Sequence, residues 1–107
     1  MNMVNKVALI TGGAGTIGRA IARALLSENI SVILTGRRMA KLEEVQQSLL
    51  AERSSAIDAN VYAISCDISK EESVLSLFQQ ISALEDCSSV DILVNNAAAL
   101  TRRAPVT

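Results

Sequence analysis

The residues best suited to chemistry form a glycine-rich segment near the start of the 107-residue chain. After a short apolar run, the sequence reads Thr-Gly-Gly-Ala-Gly-Thr-Ile-Gly from Thr11 onward. Glycines allow a sharp turn and close approach of the backbone to a pyrophosphate, and a following helix offers its N–H groups. A glycine-rich turn without a ligand is the alternative. The dinucleotide site that the segment predicts comprises Gly12, Gly13, Ala14, Gly15, Thr16, Ile17 and Gly18.

Two arginines follow the second apolar run, where dinucleotide-binding proteins often carry an acid that holds the free 2′-hydroxyl of the adenosine ribose. Here the sequence reads Gly36-Arg37-Arg38, with no acid between Glu28 and Glu43. A guanidinium binds a 2′-phosphate by charge-assisted hydrogen bonds, whereas an acid repels it. Arg37 and Arg38 therefore predict NADP(H) rather than NAD(H) as the cofactor. The alternative is that both are solvated residues at a helix start.

Polar residues also follow the third and fourth apolar runs. In an open parallel sheet, ligands bind outside the carboxyl ends of the strands. Asp67 could accept a hydrogen bond from an adenine amino group or serve as a loop or capping residue. Asn95 and Asn96 could contact a ligand or tie neighbouring backbones together.

Four short apolar runs rich in β-branched residues predict the buried strands that position these residues. The runs span residues 7–10, 31–35, 61–66 and 90–94. Three apolar stripes at helical spacing predict helices between them. The stripes consist of Ile17, Ile21, Ala24 and Leu25; of Leu42, Val45 and Leu49; and of Val74, Leu77, Phe78, Ile81 and Leu84. Ser69 and Glu72 predict a capping box at the start of the third helix.

Alternation of strands and helices predicts an α/β fold with parallel strands and right-handed crossovers. We expect strand order 3-2-1-4, with the first two helices on one face of the sheet and the third on the other. The fourth strand then lies at an edge and exposes apolar residues, which is a solubility liability.

Composition excludes several classes of protein. The sequence contains no histidine, which excludes a Ser-His-Asp triad and a metal site with histidine ligands. A net charge of -1 argues against a nucleic-acid partner. No apolar stretch reaches the roughly 18 residues of a membrane span, and no signal-peptide core is found. Cys66 and Cys87 lack the spacing of metal ligands, and Cys66 lies in an apolar run, where we expect it to be buried. Cysteines of this kind fit a reducing compartment, so the sequence predicts a cytoplasmic location.

Three segments, in the order and at the spacing of the family's motifs, resemble the short-chain dehydrogenase/reductase family: residues 11–18, 66–69 and 91–98. The resemblance covers essentially the whole chain. It implies a Rossmann-type, doubly wound parallel sheet truncated after the fourth strand, so that residues 1–107 form the N-terminal part of an NAD(P)-binding domain. It further implies that Arg37 holds the 2′-phosphate, that Asp67 and Ile68 flank the adenine, and that Asn95 and Ala97 line the ribose.

The sequence departs from the family pattern at two positions. Thr16 stands where the single-domain branch usually has glycine, and this spacing also fits the larger, nucleotide-sugar-modifying branch. Ala98 replaces the glycine of Asn-Asn-Ala-Gly. The Asn-Asn-Ala motif favours the single-domain branch.

Family members work through a serine and a Tyr-x-x-x-Lys pair, which this chain lacks. Its one tyrosine, Tyr62, lies in the third predicted strand, and Cys66 follows four positions later. We therefore assign no catalytic residue and no metal ligand, and we expect the chain alone to be inactive. The resemblance implies the cofactor-binding half of an NADP(H)-dependent oxidoreductase that reduces carbonyls or oxidises alcohols.

Other functions remain open at this point. A small carbonyl or alcohol would be the substrate of the complete protein, which could form homo-oligomers. A non-catalytic dinucleotide-binding module is the alternative function. A methyltransferase of similar topology would require an acid after the second strand, where this chain has Arg37 and Arg38.

Overall fold

The computed structural model describes residues 6–84 and 90–96 of the chain. Strands and helices alternate along the sequence, so the predicted order of elements is confirmed. The elements are β1 (Val7–Thr11), α1 (Thr16–Ser27), β2 (Ser31–Gly36), α2 (Met39–Glu52), β3 (Val61–Ser65), α3 (Glu71–Ser82) and β4 (Ile92–Val94).

The four strands form one parallel sheet in the order β3-β2-β1-β4, as the sequence predicts. All of β1 and nearly all of β2 are buried, because these central strands have helices on both faces. The ladder aligns Ala8 with both Val32 and Ile92, which brings the carboxyl ends of β1, β2 and β4 to one edge. Any site at that edge is therefore built from segments that are distant in sequence.

Helices α1 and α2 cover one face of the sheet, as expected. The predicted stripe of α2 is confirmed, since Leu42, Val45 and Leu49 are all buried. The predicted stripe of α1 is wrong in part. Its buried residues are Gly18, Ala22 and Leu26, whereas Ile17 is 66% exposed, Ala24 is exposed, and Ile21 and Leu25 are partly buried. Gly18 and Ala22 lie in the first half of α1, where the helix is so close to the turn after β1 that a Cβ on Gly18 would be 2.5 Å from the Gly12 carbonyl oxygen, and the bulky Leu26 is buried only near the end of the helix.

Helix α3 covers the opposite face, where Leu77 and Ile81 pack with the apolar side chains of β1, β2 and β3. Val74 and Leu84 contact this cluster while remaining partly buried. The prediction of Phe78 in the buried stripe is wrong, because its side chain is 47% exposed. One residue along a helix rotates the side chain by about 100°, so Phe78 lies off the face that Leu77 buries.

The predicted capping box is also wrong. Helix α3 begins at Glu71 with Lys70 as its N-cap, and no side chain caps it. Ser69 lies too early in the chain for this role. Its N–H and hydroxyl instead donate to Oδ1 of Asp67 at 3.0 Å and 2.6 Å, which stabilises the turn after β3.

Two further searches cover only the described ranges. None of the helices there is long and apolar enough to cross a membrane. No cluster of three or more potential metal-ligating residues occurs there. Cys66 is buried in the core beneath α3, as predicted, and accepts a weak hydrogen bond from the Ser73 hydroxyl.

Candidate functional site

The turn after β1 places two glycines where only glycine fits. Gly12 has a positive φ of 66°, a conformation that strains other residues. A Cβ on Gly13 would lie 2.8 Å from Cβ of Leu34, so the turn could not pack against β2. The Gly13 N–H donates to the Thr35 carbonyl at 3.1 Å and joins the turn to β2. This part of the motif is therefore required by the fold itself.

The remaining glycines of the motif differ from each other. A Cβ on Gly18 would lie 2.5 Å from the Gly12 carbonyl oxygen and 3.1 Å from Nδ2 of Asn96, so α1 could not approach the turn. A Cβ on Gly15 would make only an ordinary 3.5 Å contact, and its φ is -83°. Neither packing nor conformation requires glycine at position 15. Its small size instead leaves the N-terminus of α1 open to a ligand.

A cleft of about 630 Å³ lies at the carboxyl ends of β1 and β2, a size typical of small-molecule sites. The N-terminus of α1 faces this space, and the first turn of α1 carries no acid that would oppose an anion. Exposed Ile17, at the start of α1, also faces it. The lining consists of Gly12, Ala14, Gly15, Thr16, Ile17, Gly36, Arg37, Arg38, Lys41 and Asn96.

The charged side chains that line the cleft within residues 6–84 and 90–96 are cationic. Arg37, Arg38 and Lys41 are exposed there, and no carboxylate is among the described residues of the lining. The ion pairs within residues 6–84 and 90–96 instead join arginines of α1 to Glu52 at the end of α2. The cleft therefore favours an anionic ligand. Sequence reasoning missed Lys41, although its place three residues after Arg38 puts a third cation at the predicted start of this helix.

Asp67 and Ile68 follow β3 on the side of the cleft where Arg37 lies, but neither lines the cleft. Hydrogen bonds from the Ser69 hydroxyl and N–H, with smaller effects of the Arg37 and Lys70 charges, lower the pKa of the Asp67 carboxyl from its ordinary value. Asp67 is therefore an ionised acceptor at neutral pH. Ile68 is 49% exposed beside it.

The end of β4 is tied to the glycine-rich turn. The Asn96 N–H donates to Oγ1 of Thr11 at 2.8 Å, and its side-chain amide donates to the Gly12 carbonyl at 3.4 Å. The Thr11 hydroxyl lies 3.3 Å from Oδ1 of Asn95. Asn96 thus has the structural role that the sequence left open, and it also lines the cleft, whereas Asn95 does not. Ala97, predicted beside the ribose, lies outside the described residues.

Comparison with known proteins adds independent findings. A family model described as short chain dehydrogenase matches residues 6–107. The chain is 38% identical over 94 residues to dehydrogenase/reductase SDR family member 11 from Homo sapiens, covering 87% of this chain and 34% of that protein. A short chain dehydrogenase/reductase from Colletotrichum higginsianum is 36% identical over 104 residues, covering 97% of this chain and 36% of that protein. The chain thus spans about a third of the length of these curated relatives.

Solved structures share the fold. L-sorbose reductase from Gluconobacter frateurii, complexed with NADPH and L-sorbose, superposes with a TM-score of 0.79 at 30% identity. The match covers 92% of this chain and 35% of the reductase. A metagenomic short-chain oxidoreductase in complex with NADP gives a TM-score of 0.75 at 32% identity, covering 89% of this chain and 40% of that one.

Proposed function

Because the chain belongs to the short-chain dehydrogenase/reductase family, we propose that residues 1–107 are the N-terminal, cofactor-binding part of an NADP(H)-dependent oxidoreductase. The observation that carries this proposal is the cleft beside the glycine-rich turn, where the described lining residues include three cations and no carboxylate. Two proteins of similar structure are complexed with NADPH or NADP, which supports the choice of cofactor. The bound cofactor would supply or accept the hydride that interconverts a carbonyl and an alcohol.

The chain's own residues would bind and orient the dinucleotide. The N–H groups at the start of α1 would hold the pyrophosphate, to which Gly15 leaves access. The guanidinium groups of Arg37 and Arg38 would hold the 2′-phosphate through charge-assisted hydrogen bonds. An acid, which would select the free 2′-hydroxyl, is absent from the part of the lining that the structure describes.

Asp67 and Ile68 would form the adenine side of the site. Both hydrogen bonds from Ser69 go to Oδ1 of Asp67, and Oδ2 accepts none from the described residues. Oδ2 therefore remains available to accept a hydrogen bond from the adenine amino group. The exposed Ile68 side chain would contact the face of the base. Asn95 and Ala97 would complete the ribose side.

Direct binding tests the choice of cofactor. The dissociation constants of NADP+ and NAD+ are measured by calorimetric titration at one ionic strength. Because a hydrogen bond to a charged group contributes roughly 1.5–3 kcal/mol, we expect NADP+ to bind about 10- to 100-fold more tightly. Equal affinities, or tighter binding of NAD+, would overturn the assignment.

A non-catalytic dinucleotide-binding module is the second candidate. The 107 residues contain no Tyr-x-x-x-Lys sequence, and their one tyrosine, Tyr62, lies partly buried in β3 against the core beneath α3. We therefore expect the 107-residue chain to bind NADPH without oxidising it when small ketones or sugars are added. For the complete protein, we further propose a small carbonyl or alcohol as the substrate, assembly into homo-oligomers and a cytoplasmic location.

A further inference from the structure

The first turn of α2 brings a third cation to the proposed cofactor cleft. Lys41 lies in the first turn of α2, and Arg37 and Arg38 directly precede the helix, with Arg38 in extended backbone at the N-cap. All three line the same cleft. The Lys41 N–H donates to the Arg38 carbonyl at 3.1 Å, which fixes the position of its backbone in the first helical turn.

The three cations differ in their electrostatic surroundings. Arg37 is close enough to ionised Asp67 for its charge to help lower the pKa of that carboxyl. Part of the Arg37 charge is therefore balanced within the protein. Lys41 is not among the charges that act on Asp67, and no carboxylate within residues 6–84 and 90–96 forms an ion pair with it. Glu43 and Glu44 follow it on α2 but do not line the cleft.

We propose that Lys41 is a specificity-determining residue, whose ammonium group selects a dinucleotide with a phosphorylated adenosine ribose over one with a free 2′-hydroxyl. The inference rests on the proposed function, and it adds to the cofactor site a residue that lies outside the three family motifs. An ammonium group is a compact charge on a flexible stem, whereas a guanidinium forms a fixed pair of hydrogen bonds. Lys41 therefore adds attraction for the dianion, and the arginines fix its orientation.

Three variants test this role. Lys41→Gln removes the charge, Lys41→Arg retains it, and Lys6→Gln makes the same charge change just before β1, at the opposite edge of the sheet. The dissociation constants of NADP+ and NAD+ are measured for each variant, at low and at high salt. A thermal melt confirms that each variant is folded.

We expect Lys41→Gln to weaken NADP+ binding about fivefold and to leave NAD+ binding unchanged. A loss of about fivefold corresponds to the upper end of the interaction free energy of a charge pair at an exposed site. The loss should shrink at high salt, because ions screen exposed charges. Lys41→Arg should restore the affinity for NADP+, and Lys6→Gln should behave like the unmodified protein.

Two results would overturn the role of Lys41. One is an unchanged affinity of Lys41→Gln for NADP+, and the other is an equal loss of affinity for both dinucleotides. The unmodified protein separately tests the proposed function. If it shows no preference for NADP+, the cofactor assignment fails, whereas a preference that Lys41→Gln leaves unchanged contradicts only the role of this lysine.

Discussion

Arg37 is the residue on which the proposed choice between two cofactors depends most directly. Arg37→Ala should lower the NADP+/NAD+ affinity ratio by about 10- to 100-fold, because a charge-assisted hydrogen bond to the 2′-phosphate is lost. Arg37→Lys should give an intermediate ratio, since it keeps the charge without the bidentate geometry. Calorimetric titration of both dinucleotides measures the ratio.

A suitable control for this experiment lies on the same side of the sheet. Arg23→Ala removes an exposed arginine that pairs with Glu52 at 2.8 Å and does not line the cleft. It should leave both affinities unchanged. An Arg37→Ala protein with the ratio of the unmodified chain would contradict the proposed position of the 2′-phosphate.

Gly13 and Gly15 form a matched pair that separates folding from binding. Gly13→Ala should cost about 1–3 kcal/mol of unfolding free energy, because its Cβ would lie 2.8 Å from that of Leu34. Gly15→Ala should cost less than about 1 kcal/mol, the effect of alanine at an N-cap, yet weaken NADPH binding. Urea unfolding and NADPH titration measure the two effects. Unchanged NADPH affinity in Gly15→Ala would mean that the ligand does not approach this residue.

For single residues, the sequence predicted which side chains belong to the site better than it predicted their hydrogen-bond partners. The glycine-rich turn and the two arginines could be located because their chemistry depends on local spacing. The role of Ser69 could not be predicted, and that of Asn96 stayed open between two alternatives, because each depends on where a neighbouring segment ends. Ser69 bonds to Asp67 since α3 begins only at Glu71, and Asn96 reaches Gly12 across the sheet.

Among the elements, the connection between α1 and β2 depends on one side chain. Asn29 has a positive φ of 64°, and its Oδ1 accepts the N–H groups of Asp58 and Ala59, both at 3.0 Å. It thus links the end of α1 to the loop before β3. Asn29→Gly should lower the free energy of unfolding by about 1–2 kcal/mol, because the conformation survives while two hydrogen bonds are lost.

Two further variants at position 29 separate conformation from hydrogen bonding. Asn29→Ala should destabilise by about 1 kcal/mol more than Asn29→Gly, because alanine is strained at positive φ. Asn29→Asp should retain most of the stability, because its carboxylate keeps an acceptor in the same place. Urea unfolding curves give all three values. Equal stability of the glycine variant and the unmodified chain would show that the two hydrogen bonds contribute nothing net.

The order of the elements followed from short apolar runs separated by helical periods, whereas the buried face of α1 did not. Hydrophobic periodicity selected Ile17 and Ala24 because both are apolar and fit a helical stripe, whereas it gives glycine no weight. The buried residues are instead Gly18, Ala22 and Leu26. At Gly18 the helix lies so close to the turn after β1 that a Cβ would be 2.5 Å from the Gly12 carbonyl oxygen. A close helix–sheet contact depends on the absence of side-chain volume, which an apolar pattern does not measure.

For the whole molecule, we expect the edge at β4 to govern association. Leu93 is 63% exposed, and β4 pairs on one side with β1 and with no other described strand. Exposed apolar edge strands favour pairing with other chains. We expect concentration-dependent self-association in size-exclusion chromatography, and Leu93→Lys should reduce it. A monomer at all concentrations would contradict this expectation, and Leu75→Lys, on the outer surface of α3, provides a control.

The pairing of β1 with β4 also has a consequence for the order of folding. Ala8 of β1 pairs with Ile92 of β4, and the Thr11 hydroxyl accepts a hydrogen bond from the Asn96 N–H. One side of the central strand β1 therefore pairs with residues that come more than eighty positions later in the chain. Such non-local contacts slow folding, and during synthesis they cannot form until the later segment has emerged from the ribosome. The helices and β2 can assemble before that. We therefore expect the rim of the cleft at Gly12 and Asn96 to form late among the described elements, and nucleotide binding to appear only after β4 has paired with β1.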